Sequence, residues 1–229
     1  MKTQAIIPAA GEGKRLGRSK SKPLVLLNGK PILIYSLEAF ERCSLIQSVI
    51  VVAPSDQVAE FKRVIKKYRC PKVKKIIAGG QERFQSVYKG LTALDKDTDF
   101  VVIHDGARPL VTSQMIEDAT ALCFKTKAVV AAVPVKPTIK KVDPKNLFVK
   151  ETLLRDTLWE IQTPQVFEKK LILKAHRSNE CCLPSDDAML VEALGKPVKI
   201  LRGDYKNIKI TTAEDLVFAE AILKVGKVT

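Results

Sequence analysis

Histidine and aromatic residues are scarce in this chain: two histidines among 229 residues, and 6% Phe, Tyr and Trp. The first shortage leaves little material for a His-based metal site or a Ser-His-Asp relay. The second, with no interleaving of aromatic and basic residues, gives no stacking platform for single-stranded nucleic acid. Long hydrophobic runs are missing as well; nothing approaches the ~18 consecutive apolar residues of a membrane span. Met1 runs almost directly into Ala5-Ile6-Ile7, too short for a secretory signal and followed by no small-residue cleavage site. No Arg- and Ser-rich presequence precedes it, so the fold is expected to begin near residue 1, in a cytoplasmic protein. Five cysteines (Cys43, Cys70, Cys123, Cys181 and Cys182) are odd in number and lack metal-ligand spacing. They read as reduced thiols.

What is plentiful is positive charge: 39 Lys and Arg against 25 Asp and Glu, a formal net charge of +14. Much of it lies in pairs such as Lys66-Lys67, Lys74-Lys75, Lys140-Lys141 and Lys169-Lys170. These alternate with apolar residues at helix or strand spacing, the pattern of solvated faces. Charge alone leaves nucleic acid, an anionic small substrate and a generally basic surface in competition.

Short apolar runs alternate with amphipathic segments along most of the chain. Strands are predicted at 5–7, 49–53, 75–78, 100–104, 129–133 and 198–201. Their continuous Val and Ile content suits parallel strands buried on both faces. Helices are predicted at 32–42, 57–68, 82–94, 114–125 and 213–224. Pro31 favours the first turn of the first, Ser55 is a candidate N-cap of the second, and Thr211-x-x-Glu214 has the form of a capping box at the last. This alternation predicts one α/β domain over residues 1–229, with a doubly wound, mostly parallel, Rossmann-like sheet. Ligands of such sheets bind beyond the carboxyl ends of the strands. Residues 135–157 break the alternation. Two alternating segments flank the turn-like Asp143-Pro144-Lys145-Asn146, which predicts a protruding β-hairpin arm, either solvated or a dimer contact.

The densest chemical signal is Pro8-Ala9-Ala10-Gly11-Glu12-Gly13-Lys14-Arg15-Leu16-Gly17, directly after the first predicted strand. Small residues there let backbone N–H groups approach a phosphate chain. The glycines match neither a Walker A loop nor the dinucleotide fingerprint. Lys14, Arg15, Arg18, Lys20 and Lys22 supply the cations that a triphosphate requires. A nucleic-acid-binding module would leave this loop unexplained.

That segment, with Lys22 and Gly29-Lys30-Pro31-Ile32-Leu33, resembles the sugar-phosphate nucleotidyltransferases. Later blocks narrow the likeness: Gly79-Gly80-Gln81-Glu82-Arg83-Phe84-Gln85-Ser86-Val87, His104-Asp105-Gly106-Ala107-Arg108-Pro109, Thr163-Pro164-Gln165 and Asn207-Ile208-Lys209-Ile210-Thr211. In this order they resemble the 2-C-methyl-D-erythritol 4-phosphate cytidylyltransferase family across nearly the whole chain. Two positions depart from its usual form: Ser21 stands where proline commonly precedes the lysine, and Gly106 where alanine is commoner.

The resemblance implies transfer of CMP from CTP to methylerythritol phosphate, with ribitol 5-phosphate as the rival acceptor. It implies Arg15 and Lys22 as transition-state stabilisers, and Arg155 and Lys209 as holders of the acceptor phosphate. Pro8, Ala9, Ala10, Gly11, Gly13, Gly80, Gln81, Ser86, Asp105 and Gly106 would bind the nucleotide. Asp105, Arg108, Thr138, Arg155 and Lys209 would bind the acceptor. Magnesium would arrive mainly on the CTP phosphates, with no protein ligand named for it. The 135–157 arm would clasp a second copy of the chain in a homodimer, with neither nucleic acid nor membrane as partner.

Overall fold

The computed structural model describes residues 1–11, 21–178 and 183–225. Gly13, Arg15, Cys181 and Cys182 lie outside the described residues. In chain order the first half contains β1 (Thr3–Pro8), a two-strand ribbon of β2 (Leu26–Leu27) and β3 (Lys30–Pro31), α1 (Ile32–Arg42), β4 (Ser48–Ala53), α2 (Val58–Lys67), β5 (Val73–Ala78) and α3 (Arg83–Thr92). The chain continues through β6 (Phe100–Ile103), α4 (Ser113–Thr126), β7 (Ala128–Pro134), the hairpin β8 (Lys140–Val142) and β9 (Val149–Thr152), and β10 (Trp159–Glu168). It closes with α5 (Lys169–Arg177), α6 (Asp187–Ala193), β11 (Lys199–Arg202) and α7 (Ala213–Val225).

Seven strands form one sheet in the order β11-β7-β10-β6-β1-β4-β5. All the pairings are parallel except those of β10, which runs antiparallel to both β6 and β7. From β1 the chain builds outward through β4 to β5, then returns along α3 to place β6 on the other flank of β1. The strand order therefore reverses between β1 and β6, and a crevice opens beyond their carboxyl ends.

Alternating side chains of β1 feed two cores. Ala5 and Ile7 join Phe40 of α1, Phe61 of α2 and Ile116 of α4 on one face. Ile6 joins Val87 of α3, Ile172 of α5 and Val191 of α6 on the other. Both faces of the strand are apolar because both are covered by helices. A third cluster packs Val25, Leu27 and Ile32 against Ile210 and Ala219. It ties the segment that carries Lys22 to the segment that carries Lys209.

Several local expectations are corrected. Gln57, not Ser55, stands at the start of α2, and its side chain makes no cap. At α7 the backbone N–H groups of Thr211 and Thr212 donate to Asp215, 2.7 and 2.8 Å away, not to Glu214. The periodicity also missed β10, α5 and α6. Pro164 interrupts an otherwise plausible strand. The structure accommodates it in a register shift between Ile161 and Gln165. α5 follows β10 with no intervening loop, so no turn signal announces it.

Candidate active site

Three turns meet at the carboxyl ends of β1, β5 and β6. The first leaves β1 at Pro8–Gly11, held where Ala9 N–H donates to the Val52 carbonyl at 2.8 Å. The second leaves β5 at Gly79, whose N–H donates to Ala53. Gly80 N–H then donates to Ser86 Oγ at 3.0 Å, and Gln81 N–H to Gln85 Oε1 at 2.9 Å. These bonds, with a reciprocal capping box between Glu82 and Gln85, draw the start of α3 against the turn. A Cβ on Gly79 would come within 2.7 Å of both Ala10 Cβ and Ser86 Oγ, so the first two turns pack at a spacing that only glycine permits. The third turn leaves β6 at His104, and Gly106 N–H donates to the Pro8 carbonyl at 3.1 Å. The sequence-predicted residues Pro8, Ala9, Ala10, Gly11, Gly80, Gln81, Ser86, Asp105 and Gly106 thus belong to one rim. At Gly106 an alanine Cβ would meet Ala9 Cβ and Ile7 Cγ2 at 3.3 Å, a contact that small shifts accommodate.

Beside this rim lies a cavity of about 540 Å³, lined among others by Arg83, Asp105, Arg108, Thr163, Gln165 and Lys209. Asp105, in its wall, is held by two cations. Arg83 Nε donates to Oδ1 at 2.9 Å and Lys209 Nζ to Oδ2 at 2.8 Å. Burial alone would raise the Asp105 carboxyl, but the Arg83 and Lys209 charges outweigh it and hold the group well below the usual carboxylate range. Arg83 reaches onward: its Nη1 donates to Asp187 Oδ2 at 2.7 Å, and His176 Nε2 lies 3.3 Å from the other oxygen of Asp187. Burial likewise works to raise Asp187, and Arg83 and His176 bring its net shift downward. The two buried carboxylates keep the Arg83 guanidinium charged against the cost of its own burial.

The loop carrying Lys209 is anchored from below. Asn207 is fully buried, and its Nδ2 donates to the Thr163 carbonyl at 2.8 Å. Its own carbonyl accepts from Arg108 Nη1 at 2.7 Å, and Ile210 N–H donates to Ala107 at 2.8 Å. Arg108 also donates from Nη2 to Ile161, whereas its buried Nε has no acceptor among the described residues. Lys209, Asp105 and Arg108 are thus brought together.

Lys22, Thr138 and Arg155 are not among the cavity-lining residues. Lys22 opens the 3-10 turn Lys22–Leu24. Thr138 precedes β8, and Arg155 opens the 3-10 turn after β9, exposed, with Nη1 3.4 Å from the Lys136 carbonyl. Arg83, Gln165 and the pair Asp186-Asp187 are site residues to which sequence reasoning gave no role. The visible signal was two adjacent carboxylates ahead of an apolar run; nothing local shows that a distant arginine pairs with one of them.

The doubly wound sheet, the glycine-containing turn after its first strand and the cation-carboxylate cavity beside its switch point define an α/β nucleotidyltransferase. The family model of 2-C-methyl-D-erythritol 4-phosphate cytidylyltransferase matches residues 3–225. A protein of that name from Caldanaerobacter subterraneus subsp. tengcongensis is 48% identical over 98% of this chain and 100% of the relative. Another, from Geobacillus thermodenitrificans, is 47% identical over 97% of each. Among solved structures, 4-diphosphocytidyl-2C-methyl-D-erythritol synthase from Anaerococcus prevotii superposes with a TM-score of 0.85 at 34% identity, covering 97% of this chain and 96% of that one. The cytidylyltransferase of Francisella tularensis gives 0.80 at 32% identity, covering 96% and 99%. The chain belongs to the 2-C-methyl-D-erythritol 4-phosphate cytidylyltransferase family.

Proposed function

We propose that the protein transfers CMP from CTP to 2-C-methyl-D-erythritol 4-phosphate, releasing pyrophosphate and forming 4-diphosphocytidyl-2-C-methyl-D-erythritol, a precursor in non-mevalonate isoprenoid synthesis. The observation that carries this reading is the meeting of Lys209, Asp105 and Arg108 at the strand ends, in a chain of this family. A phosphate monoester has a second pKa of about 6, so its attacking oxygen is already ionised at neutral pH and no general base is required. What the protein must supply is close placement of two anions and charge to offset the pentavalent phosphorus. Arg15 and Lys22 take the second task, Lys209 and Arg155 the first. Arginine suits bidentate phosphate contact, and lysine acts as a point charge. Ala9, Ala10, Gly80, Gln81 and Ser86 face the cytosine, with Pro8, Gly11, Gly13 and Gly106 shaping the loop around the phosphates and ribose. Asp105 orients ribose and acceptor hydroxyls, and Arg108 binds the acceptor.

Among the described residues no group of three His, Cys, Asp or Glu is placed to hold a metal ion. Both Asp105 oxygens are already engaged by cations. This donor set fits a magnesium ion carried on the triphosphate oxygens and completed by water. Bound there, it would neutralise part of the phosphate charge.

Between β7 and β10 the single domain projects an arm at 135–157 that leaves Leu147 and Phe148 about three-quarters exposed, with Val149 and Leu154 also open. Apolar tips of this kind need cover, which supports a homodimer in which Thr138 and Arg155 enter the partner's acceptor site. Mixing Arg155→Ala and Lys22→Ala proteins should then restore one intact site and part of the activity; no recovery would reject the composite site. No described helix is long and apolar enough to cross a membrane, and the reading places the enzyme in the cytoplasm, acting on small molecules and not on nucleic acid. Pyrophosphate release, measured with each nucleoside triphosphate and with methylerythritol and ribitol phosphates side by side, tests substrate choice. Preference for ATP or UTP would overturn the base assignment, and preference for ribitol 5-phosphate the acceptor.

A further inference from the structure

His104 follows β6, is fully buried, and does not line the cavity. Donor counting sets the direction of each bond around its ring. The Arg108 carbonyl beside Nε2 can only accept, so the neutral ring must carry its proton there and present a bare Nδ1. Thr163 Oγ1 accepts from Asp105 N–H at 3.1 Å and keeps its own proton to give. His104 Nδ1 lies 2.9 Å from the same oxygen and takes that proton. Nε2 donates to the Arg108 carbonyl at 3.1 Å. Burial pushes the imidazole down to about 4, which keeps this neutral tautomer at physiological pH. One ring therefore grips both ends of the turn 105–108, through Thr163 at Asp105 and directly at Arg108. The same threonine sits in the irregular stretch of β10, where its carbonyl also holds Asn207 and so the Lys209 loop.

We infer that His104 is a positioning residue: its ring, which does not line the cavity, sets the working geometry of Asp105, Arg108 and Lys209 through the cavity-lining Thr163 and through the Arg108 carbonyl. This rests on the cytidylyl-transfer reading for the roles of those three residues. A ring that merely filled the core would affect stability alone; a positioning ring affects turnover by folded protein, since sub-ångström placement governs rate.

The test uses two variants. Thr163→Val keeps the shape and removes the hydroxyl; His104→Gln keeps a donor within reach of the Arg108 carbonyl and loses Nδ1. In folded protein, each is expected to lower kcat by about tenfold to a hundredfold, with the KM for CTP changed by no more than about twofold. The double variant should be no slower than the worse single one, because both break the same link. Unchanged kcat in folded Thr163→Val, or losses that multiply in the double variant, would overturn the proposal. A nitrogen-15 spectrum of the intact protein should show His104 with Nδ1 bare and Nε2 protonated at pH 7. An Nδ1-protonated or doubly protonated ring would refute the clasp whether or not the protein releases pyrophosphate. Failure of the intact protein to turn over CTP would instead strike the functional reading, leaving the ring spectrum to decide the clasp.

Discussion

Lys209 Nζ lies 2.8 Å from Asp105 Oδ2, so the cation assigned to the acceptor phosphate is held in place by a carboxylate before any substrate arrives. The lysine side chain is 42% exposed and Asp105 keeps Arg83 as a second counter-charge when the lysine is removed, so the pair contributes little to stability. Its value is positional. Lys209→Ala is expected to remove about 2.7–4 kcal/mol of transition-state stabilisation, a loss of about two to three orders of magnitude in kcat. The melting temperature should scarcely move. Steady-state kinetics beside a thermal melt check both halves; a large melting shift with normal kcat would contradict the assignment.

Arg83 has a different burden. It donates to Asp105 and to Asp187, whose side chain is 1% exposed. Removing the guanidinium leaves two buried carboxylates short of a counter-charge, and breaking one buried pair costs about 3–5 kcal/mol. Arg83→Ala should therefore unfold at markedly lower denaturant than the parent. Arg83→Lys, which restores the charge but not the forked contact, should recover only part of the loss.

At Gly79 the outcome is set by space. A methyl group there meets Ala10 Cβ and Ser86 Oγ at 2.7 Å, and overpacking of this kind costs about 1–3 kcal/mol. Because the displaced atoms belong to the rim proposed to bind the nucleotide, Gly79→Ala should raise the KM for CTP more than that for the acceptor. Equal effects on both would argue against the base-facing role of Ser86 and Ala10.

His104 makes stability depend on pH. The unfolded chain binds the proton near 6.5 and the folded chain near 4. Between those values the unfolded state holds more protons, so stability rises with pH. The contribution is fully present above about 6.5, is lost as pH falls toward 4, and amounts to about 3 kcal/mol. Asp105 and Asp187, both shifted downward, lose their contributions at still lower pH. Chemical denaturation from pH 4 to 7 should show the slope in the parent and a flatter line in His104→Gln.

The parallel strands and their helices were legible because strands buried on both faces are continuously apolar, as in Val49-Ile50-Val51-Val52-Ala53. β10 was not, since Pro164 lies within it and reads as a breaker unless the irregular register around it is known. The rim residues were legible because turns after parallel strands must be small-residue turns where backbones approach, as at Gly79. The partnership of Arg83 with Asp187 was not. The two are separated by 104 positions and meet only because α6 folds back over α3 and α5. Local pattern carries the first kind of information and topology alone the second.

The central claim is direct attack by the acceptor phosphate on the α-phosphorus of CTP among converging cations. It is tested most directly by labelling the phosphate oxygens of methylerythritol 4-phosphate with oxygen-18 and following both products by mass spectrometry. The label should remain entirely in the cytidylylated product, one labelled oxygen bridging the two phosphorus atoms, while the pyrophosphate stays unlabelled and forms only when both substrates are present. Labelled pyrophosphate, or pyrophosphate released equally fast without the acceptor, would contradict the account.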